Sequence, residues 1–178
     1  KDGNVIAEGW HKYAGDQHAE IIALEEAGAN ASGADVFVSL EPCSHFGKTG
    51  PCTEALIKAN VKRVVVAMRD PNAESGNGLE ALKKSGIKID IAGKEIEKKS
   101  IDLNPGFFKR MKNGEPFVRL KIAATMDGRI AAPDSSSRWI TTESARKDVH
   151  ALRARSCAVV TGMGTVRADN PQLTARLS

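Results

Sequence analysis

His18-Ala19-Glu20, followed by Glu41-Pro42-Cys43-Ser44-His45-Phe46-Gly47-Lys48-Thr49-Gly50-Pro51-Cys52, is the part of this chain whose reading decides the fold. One imidazole and two thiols are three good zinc ligands, and they leave the fourth tetrahedral position to water. Glu20 stands two residues past His18, near enough to act on that water without ligating the metal. Around these residues the pattern is periodic. Over residues 17–27, Ile21, Ile22, Leu24 and Ala27 recur at helical spacing, and Gly28 is a stop. His18 and Glu20 then fall in the first turn of a helix, for which Asp16 is the expected N-cap. Residues 35–40 form a short apolar run suited to a buried strand, whose end delivers Pro42-Cys43. Pro51-Cys52-Thr53-Glu54 starts a second helix running to about Asn60, with Pro at an early position. The positive end of that helix favours a thiolate at Cys52.

Working outward, residues 61–68 read as a strong buried strand, and Asp70-Pro71-Asn72 as a turn at its C-terminal end, where open α/β sheets place ligands. Residues 79–85 read as helix, 87–91 as strand and 94–104 as an amphipathic basic helix. The alternation predicts an α/β domain with parallel strands over residues 1–103. Residues 4–10 read as a strand leaving an Asp2-Gly3 turn, with which a preceding strand should pair. That turn, and Lys rather than Met at position 1, lead us to expect a natural N-terminus further upstream. Asn104-Pro105-Gly106 breaks the pattern, and residues 104–116 are read as a connector with a short helix at 107–112.

A second unit, residues 117–178, opens with an alternating β-branched run at 117–124 that suggests a strand, then a turn at Thr125-Met126-Asp127-Gly128-Arg129. Thr141-Thr142-Glu143 caps a long basic helix through about Arg155. Residues 157–161 are a predicted strand, with Cys157 expected in its core. Gly162-x-Gly164 follows, but Arg167 stands where a dinucleotide fingerprint requires Gly or Ala, so a plain strand-to-helix turn is the reading. Two evident strands are too few for a nucleotide-binding sheet, and the unit reads as the N-terminal part of a larger one.

Composition narrows the classes. With 41% hydrophobic and 27% charged residues among 178, the chain is an ordinary globular protein able to bury a core. No apolar run approaches a membrane span. A net charge of +4 suits anionic small molecules as well as nucleic acid. Three cysteines, two of them beside other zinc-ligand types, favour metal binding in a reducing compartment over a disulfide framework.

A structural zinc site takes four protein ligands, and the spare candidates nearby are His45 and Glu20. H-x-E followed by P-C-x-x-C is the zinc-deaminase signature, met here with one departure: eight residues, 44–51, separate the cysteines instead of two. Zinc fixes ligands in space rather than in sequence, so the longer loop is physically allowed. His45 and Lys48 lie between two ligands and face the cavity mouth or the solvent outside it, either as phosphate partners or as solvated residues. His11 reads as an exposed loop residue. Two competitors stand beside the catalytic reading: a zinc deaminase of nucleosides or flipped-out bases, and a zinc-stabilised binding module with a closed shell.

With both units in view, the chain resembles the bifunctional riboflavin-biosynthesis deaminase/reductase family. The resemblance rests on His18-Ala19-Glu20, the Glu41–Cys52 motif with its long inter-cysteine loop, and Asp70-Pro71-Asn72. It extends through Lys121-x-x-x-x-Met126-Asp127-Gly128-Arg129, Ser137-x-Trp139-Ile140-Thr141 and Thr165-x-x-x-Asp169-x-Pro171-x-Leu173-Thr174-x-Arg176. Set against the family, the N-terminal helix and strand and the C-terminal half of the reductase are missing, and residues 73–78 are short. The resemblance implies a cytidine-deaminase-like three-layer domain followed by the first part of a dihydrofolate-reductase-like α/β domain. It implies zinc on His18, Cys43 and Cys52 with Glu20 as catalytic acid/base. It assigns Ala123, Trp139, Thr165 and Asp169 to NADPH, and Ser137, Arg153, Leu173 and Arg176 to substrate, with Lys121 a weaker candidate. The implied substrate is a pyrimidine ribosylamine 5′-phosphate, handled by a cytoplasmic homo-oligomer without nucleic-acid or membrane partners. Roles for His11, His45, Lys48 and Asn72 in substrate binding stay open at this point.

Overall fold

The computed structural model describes residues 1–75 and 77–177; Gly76, in the short 73–78 stretch, and Ser178 lie outside the described residues. The chain divides into two compact units, Lys1–Val118 and Arg119–Ser178.

In the first unit, helix α1 spans Ala19–Ala27 and leads through a 3-10 turn to strand β1, Asp35–Val38. A long loop then enters helix α2, Cys52–Lys58, and strand β2, Arg63–Val66. Helix α3, Gly78–Lys84, strand β3, Lys88–Ile91, and helices α4, Lys94–Leu103, and α5, Pro105–Asn113, complete it. The strands form one parallel sheet in the order β1-β2-β3, with Val64 level with Val36 and Ile89. Parallel neighbours need a crossover, which α2 and α3 supply. β2 is central and alternates, so Val64 and Val66 are fully buried against Leu56 of α2 and Leu79 and Leu82 of α3, with Val61 and Ile87 closing the cluster. The α/β class with a parallel sheet is the one expected.

Several helix ends differ from expectation for local reasons. His18, not Asp16, is the N-cap of α1, because the Asp16 carboxylate accepts the neighbouring Gln17 N–H at 2.9 Å. α5 begins at Pro105 rather than 107: Asn104 caps it by accepting the Phe107 N–H at 3.3 Å, and proline at the first helical position has no N–H to lose. Asp2 and Gly3 both have positive φ (52° and 81°), and Asn4 N–H reaches the Lys1 carbonyl at 2.9 Å, which is a tight turn. The expected strand after it, residues 4–10, has no ladder partner among the described residues and stays extended, with Val5 and Trp10 exposed.

In the second unit, helix α6, Glu143–Ala154, is capped by Thr142, which accepts the Ala145 N–H at 3.3 Å. Helix α7, Met163–Asp169, follows Gly162. Two sequence expectations are corrected here. Runs 117–124 and 157–161 carry no strand among the described residues, and Val118, Leu120 and Val160 are 77%, 82% and 92% exposed. A strand is defined by a ladder to a neighbouring strand, and among the described residues neither run is part of one. Cys157 is accordingly exposed rather than in a core, since no sheet covers it.

Candidate active site

Three chain segments converge at the C-terminal end of β1. His18 is the N-cap of α1, Cys43 lies in the loop after β1, and Cys52 is the first residue of α2. Their ligand atoms all lie within 4.8 Å of one another. His18 Nδ1 is 3.2 Å from Cys52 Sγ and 3.5 Å from Cys43 Sγ. The backbone N–H of Cys52 donates to Cys43 Sγ at 3.4 Å. As N-cap, His18 makes no side-chain bond to its own helix, so its imidazole is free to face the thiols.

The donor set fits zinc. Bonds of about 2.0 Å to nitrogen and 2.3 Å to sulfur require N···S edges of about 3.5 Å in a tetrahedron, close to what the side chains already span. Their protonation agrees. The Cys52 thiol and N–H both donate to Cys43, and the Cys43 thiol is lowered to about 5. Cys52 is raised instead, because its proton is the one shared with Cys43 and because it is buried. The pair therefore holds one proton where two isolated thiols would hold two. Glu20, the second residue of α1, has its carboxyl raised above the usual carboxylate range by burial, opposed by its own backbone N–H and by the Cys52 thiol.

The site opens on a cavity of about 170 Å³ lined by His11, Asp16, His18, Cys43, His45 and Lys48, among others. His45 Nδ1 is 3.3 Å from the Ser75 carbonyl, and the His11 and His18 rings meet edge-on at 5.5 Å. Asn72 does not line this cavity; its side chain accepts the Glu74 N–H at 3.1 Å and shapes the turn after β2.

Two sets of relatives match this arrangement. Residues 1–68 match the family model described as cytidine and deoxycytidylate deaminase zinc-binding region, and residues 116–178 match the RibD C-terminal domain. The riboflavin biosynthesis protein RibD of Escherichia coli (strain K12) is 49% identical over 179 residues, covering 100% of this chain and 48% of that protein. Over its whole length the chain is similar to part of a RibD protein. The RibD of Aquifex aeolicus is 46% identical over 99% of this chain and 49% of its own length. Among solved structures, Acinetobacter baumannii RibD superposes with a TM-score of 0.91 at 50% identity, covering 99% of this chain and 49% of that one. A Thermotoga maritima diaminohydroxyphosphoribosylaminopyrimidine deaminase/5-amino-6-(5-phosphoribosylamino)uracil reductase does so at 0.93 and 45%, covering 99% and 51%. The chain thus spans about half the length of the RibD proteins it matches.

The reductase-side residues are spread over several segments. Arg153 of α6 donates to the Thr174 carbonyl at 3.2 Å, and Arg176 donates through its side chain to Thr174 Oγ1 at 2.7 Å, so the two arginines meet the same short loop. Leu173 lies in that loop with φ of 54°. Trp139 is largely exposed, with the Arg146 guanidinium 4.3 Å above its ring. Thr165 and Asp169 lie one turn apart on α7, while Ala123 and Ser137 lie on other segments. Sequence reasoning missed two contacts. Glu41 accepts backbone N–H groups from two distant segments, and His150 Nδ1 accepts the Arg176 N–H at 3.1 Å. An acid placed directly before Pro-Cys was the available signal for the first; the second left none.

Proposed function

We propose that this chain carries the deaminase site, and the first part of the reductase, of a bifunctional riboflavin-biosynthesis enzyme. The observation that carries the reading is a donor set of three, His18, Cys43 and Cys52, with a half-buried carboxylate beside it and a small cavity above it. Three protein ligands leave room for chemistry, whereas a structural site is closed by a fourth. Zinc in this site lowers the pKa of water toward neutrality.

The rest is done by the chain. Glu20, half-buried beside Cys52, takes a proton from the attacking water and delivers protons to the ring nitrogen and to the leaving amine. Water adds at the amino-bearing ring carbon, the C–N bond breaks, and ammonia leaves as the ring carbonyl forms. His11, His45 and Lys48 at the cavity wall offer donors and positive charge to an anionic substrate. The substrate this suits is a diaminopyrimidinone bearing ribosylamine 5′-phosphate, the deaminase substrate class that the Thermotoga maritima name states for that protein.

In the complete protein, bound NADPH would supply the hydride for reducing the opened ribose to a ribityl chain. Ala123, Trp139, Thr165 and Asp169 take part in holding the cofactor, and Ser137, Arg153, Leu173 and Arg176 the substrate. The domain assignment is 1–103 deaminase, 104–116 connector and 117–178 the beginning of the reductase. The protein works in the cytoplasm as a homo-oligomer; among the described residues no helix is long and apolar enough to cross a membrane. Ammonia release from the diaminopyrimidine phosphate, compared with cytidine, tests the deaminase reading. Turnover of the phosphate compound and not of cytidine is expected, and equal turnover of both would overturn the substrate class.

A further inference from the structure

Glu41 lies just past the end of β1 and two residues before Cys43, and nothing in the proposed chemistry uses it. Its carboxylate is nevertheless committed on both oxygens. Oε1 accepts the Leu79 N–H of α3 at 3.0 Å, and Oε2 accepts the Asp70 N–H of the turn after β2 at 3.4 Å. Its own N–H donates to the Met68 carbonyl at 3.0 Å. One side chain thus ties the start of the ligand loop to two segments that are 29 and 38 residues away in sequence.

The next residues are gripped as well. Pro42 is fully buried, and its carbonyl comes so close to Gly78 that a Cβ at that position would overlap it. The Cys43 carbonyl accepts the Thr53 N–H at 3.2 Å, and Ser44 N–H donates to the Ser75 carbonyl at 3.1 Å. The peptide bearing Cys43 is therefore fixed by its flanks as well as by the contacts of its thiol. Only a carboxylate accepts two N–H groups from diverging directions without turning a donor toward either. A glutamine would present its NH₂ to one of them.

We infer that Glu41 is a positioning residue for the metal site, setting where Cys43 Sγ stands relative to His18 Nδ1 and Cys52 Sγ. The inference rests on reading those three residues as zinc ligands. Because Glu41 also holds the N–H of Leu79, a core residue, positioning is separated from fold maintenance by a metal readout set beside a stability readout. Outer contacts that orient ligands are worth about 10- to 100-fold in metal affinity.

The test uses the full chain and two metals, with zinc affinity measured by competition against a chromophoric chelator and cobalt(II) absorption reporting thiolate geometry. Glu41→Gln is expected to weaken zinc binding by about 10- to 100-fold and to shift the cobalt thiolate bands. Gly78→Ala, which forces apart the Pro42 carbonyl and the start of α3 where Leu79 donates to Glu41, should act in the same direction. Ile87→Val trims the core of the same unit and should lower the melting temperature while leaving both metal readouts unchanged. Unaltered zinc affinity and cobalt bands in Glu41→Gln would overturn the inference, as would an equal metal effect from Ile87→Val. Absence of tetrahedral thiolate absorption in the unmodified chain would remove the zinc reading itself, and the inference with it.

Discussion

Glu20 occupies the second position of α1 with its carboxyl raised by burial, so its proton affinity lies nearer to that of the groups it must serve than an exposed acid's would. Replacing it with glutamine keeps the shape and removes the proton. Glu20→Gln should therefore retain zinc and the fold while ammonia release falls by about 10²- to 10⁴-fold. Near-normal turnover with zinc bound would take Glu20 out of the mechanism. The thiols make a second, pH-dependent statement. Cys43, lowered to about 5, is already a thiolate at neutral pH, whereas Cys52 keeps the shared proton and must give it up to a metal. Zinc affinity should rise with pH above 5, with about one thiol proton released per ion, and should fall more steeply below 5 as Cys43 protonates as well. Titration calorimetry in buffers of different ionisation enthalpy counts that proton; release of two thiol protons at pH 7 would contradict the shared-proton pair.

α2 links site and core in seven residues: Cys52 starts it and Leu56, one turn on, is fully buried beneath it. Leu56→Ala should cost about 2–5 kcal/mol in denaturant unfolding of the metal-free chain, and saturating zinc should recover part of that loss by binding only the folded state. A loss under 1 kcal/mol would mean that the helix is not anchored through Leu56. Elements of this kind were legible in sequence, because the apolar run of β2 and the helical spacing in α1 are local patterns, and Gly28 and Pro51 mark where α1 ends and α2 begins. Residues 4–10, 117–124 and 157–161 carry strand-like patterns too, yet a ladder needs a partner segment that no local pattern encodes. The Glu41 bridge was illegible for a related reason: it joins backbone groups 29 and 38 residues away, and periodicity says nothing about such pairs.

At the scale of the molecule, two units match two family models, and the site geometry belongs to the first of them. In the complete protein, Arg153→Ala and Arg176→Ala should each raise the substrate KM of reduction by about 10- to 100-fold through loss of a charge-assisted contact, with kcat little changed. Trp139→Ala should instead raise the KM for NADPH, by removing aromatic area for the cofactor to pack on. An unchanged substrate KM in both arginine variants would make their assignment to the substrate wrong. The account as a whole stands on an incomplete ring of protein ligands around one metal ion. A crystal structure of the zinc-loaded protein, with anomalous data at the zinc edge, measures that directly. The account predicts one zinc bound by His18 Nδ1, Cys43 Sγ and Cys52 Sγ, a fourth ligand that is not protein, and Glu20 outside the shell; a fourth protein ligand, from His45 or Glu20, would contradict it.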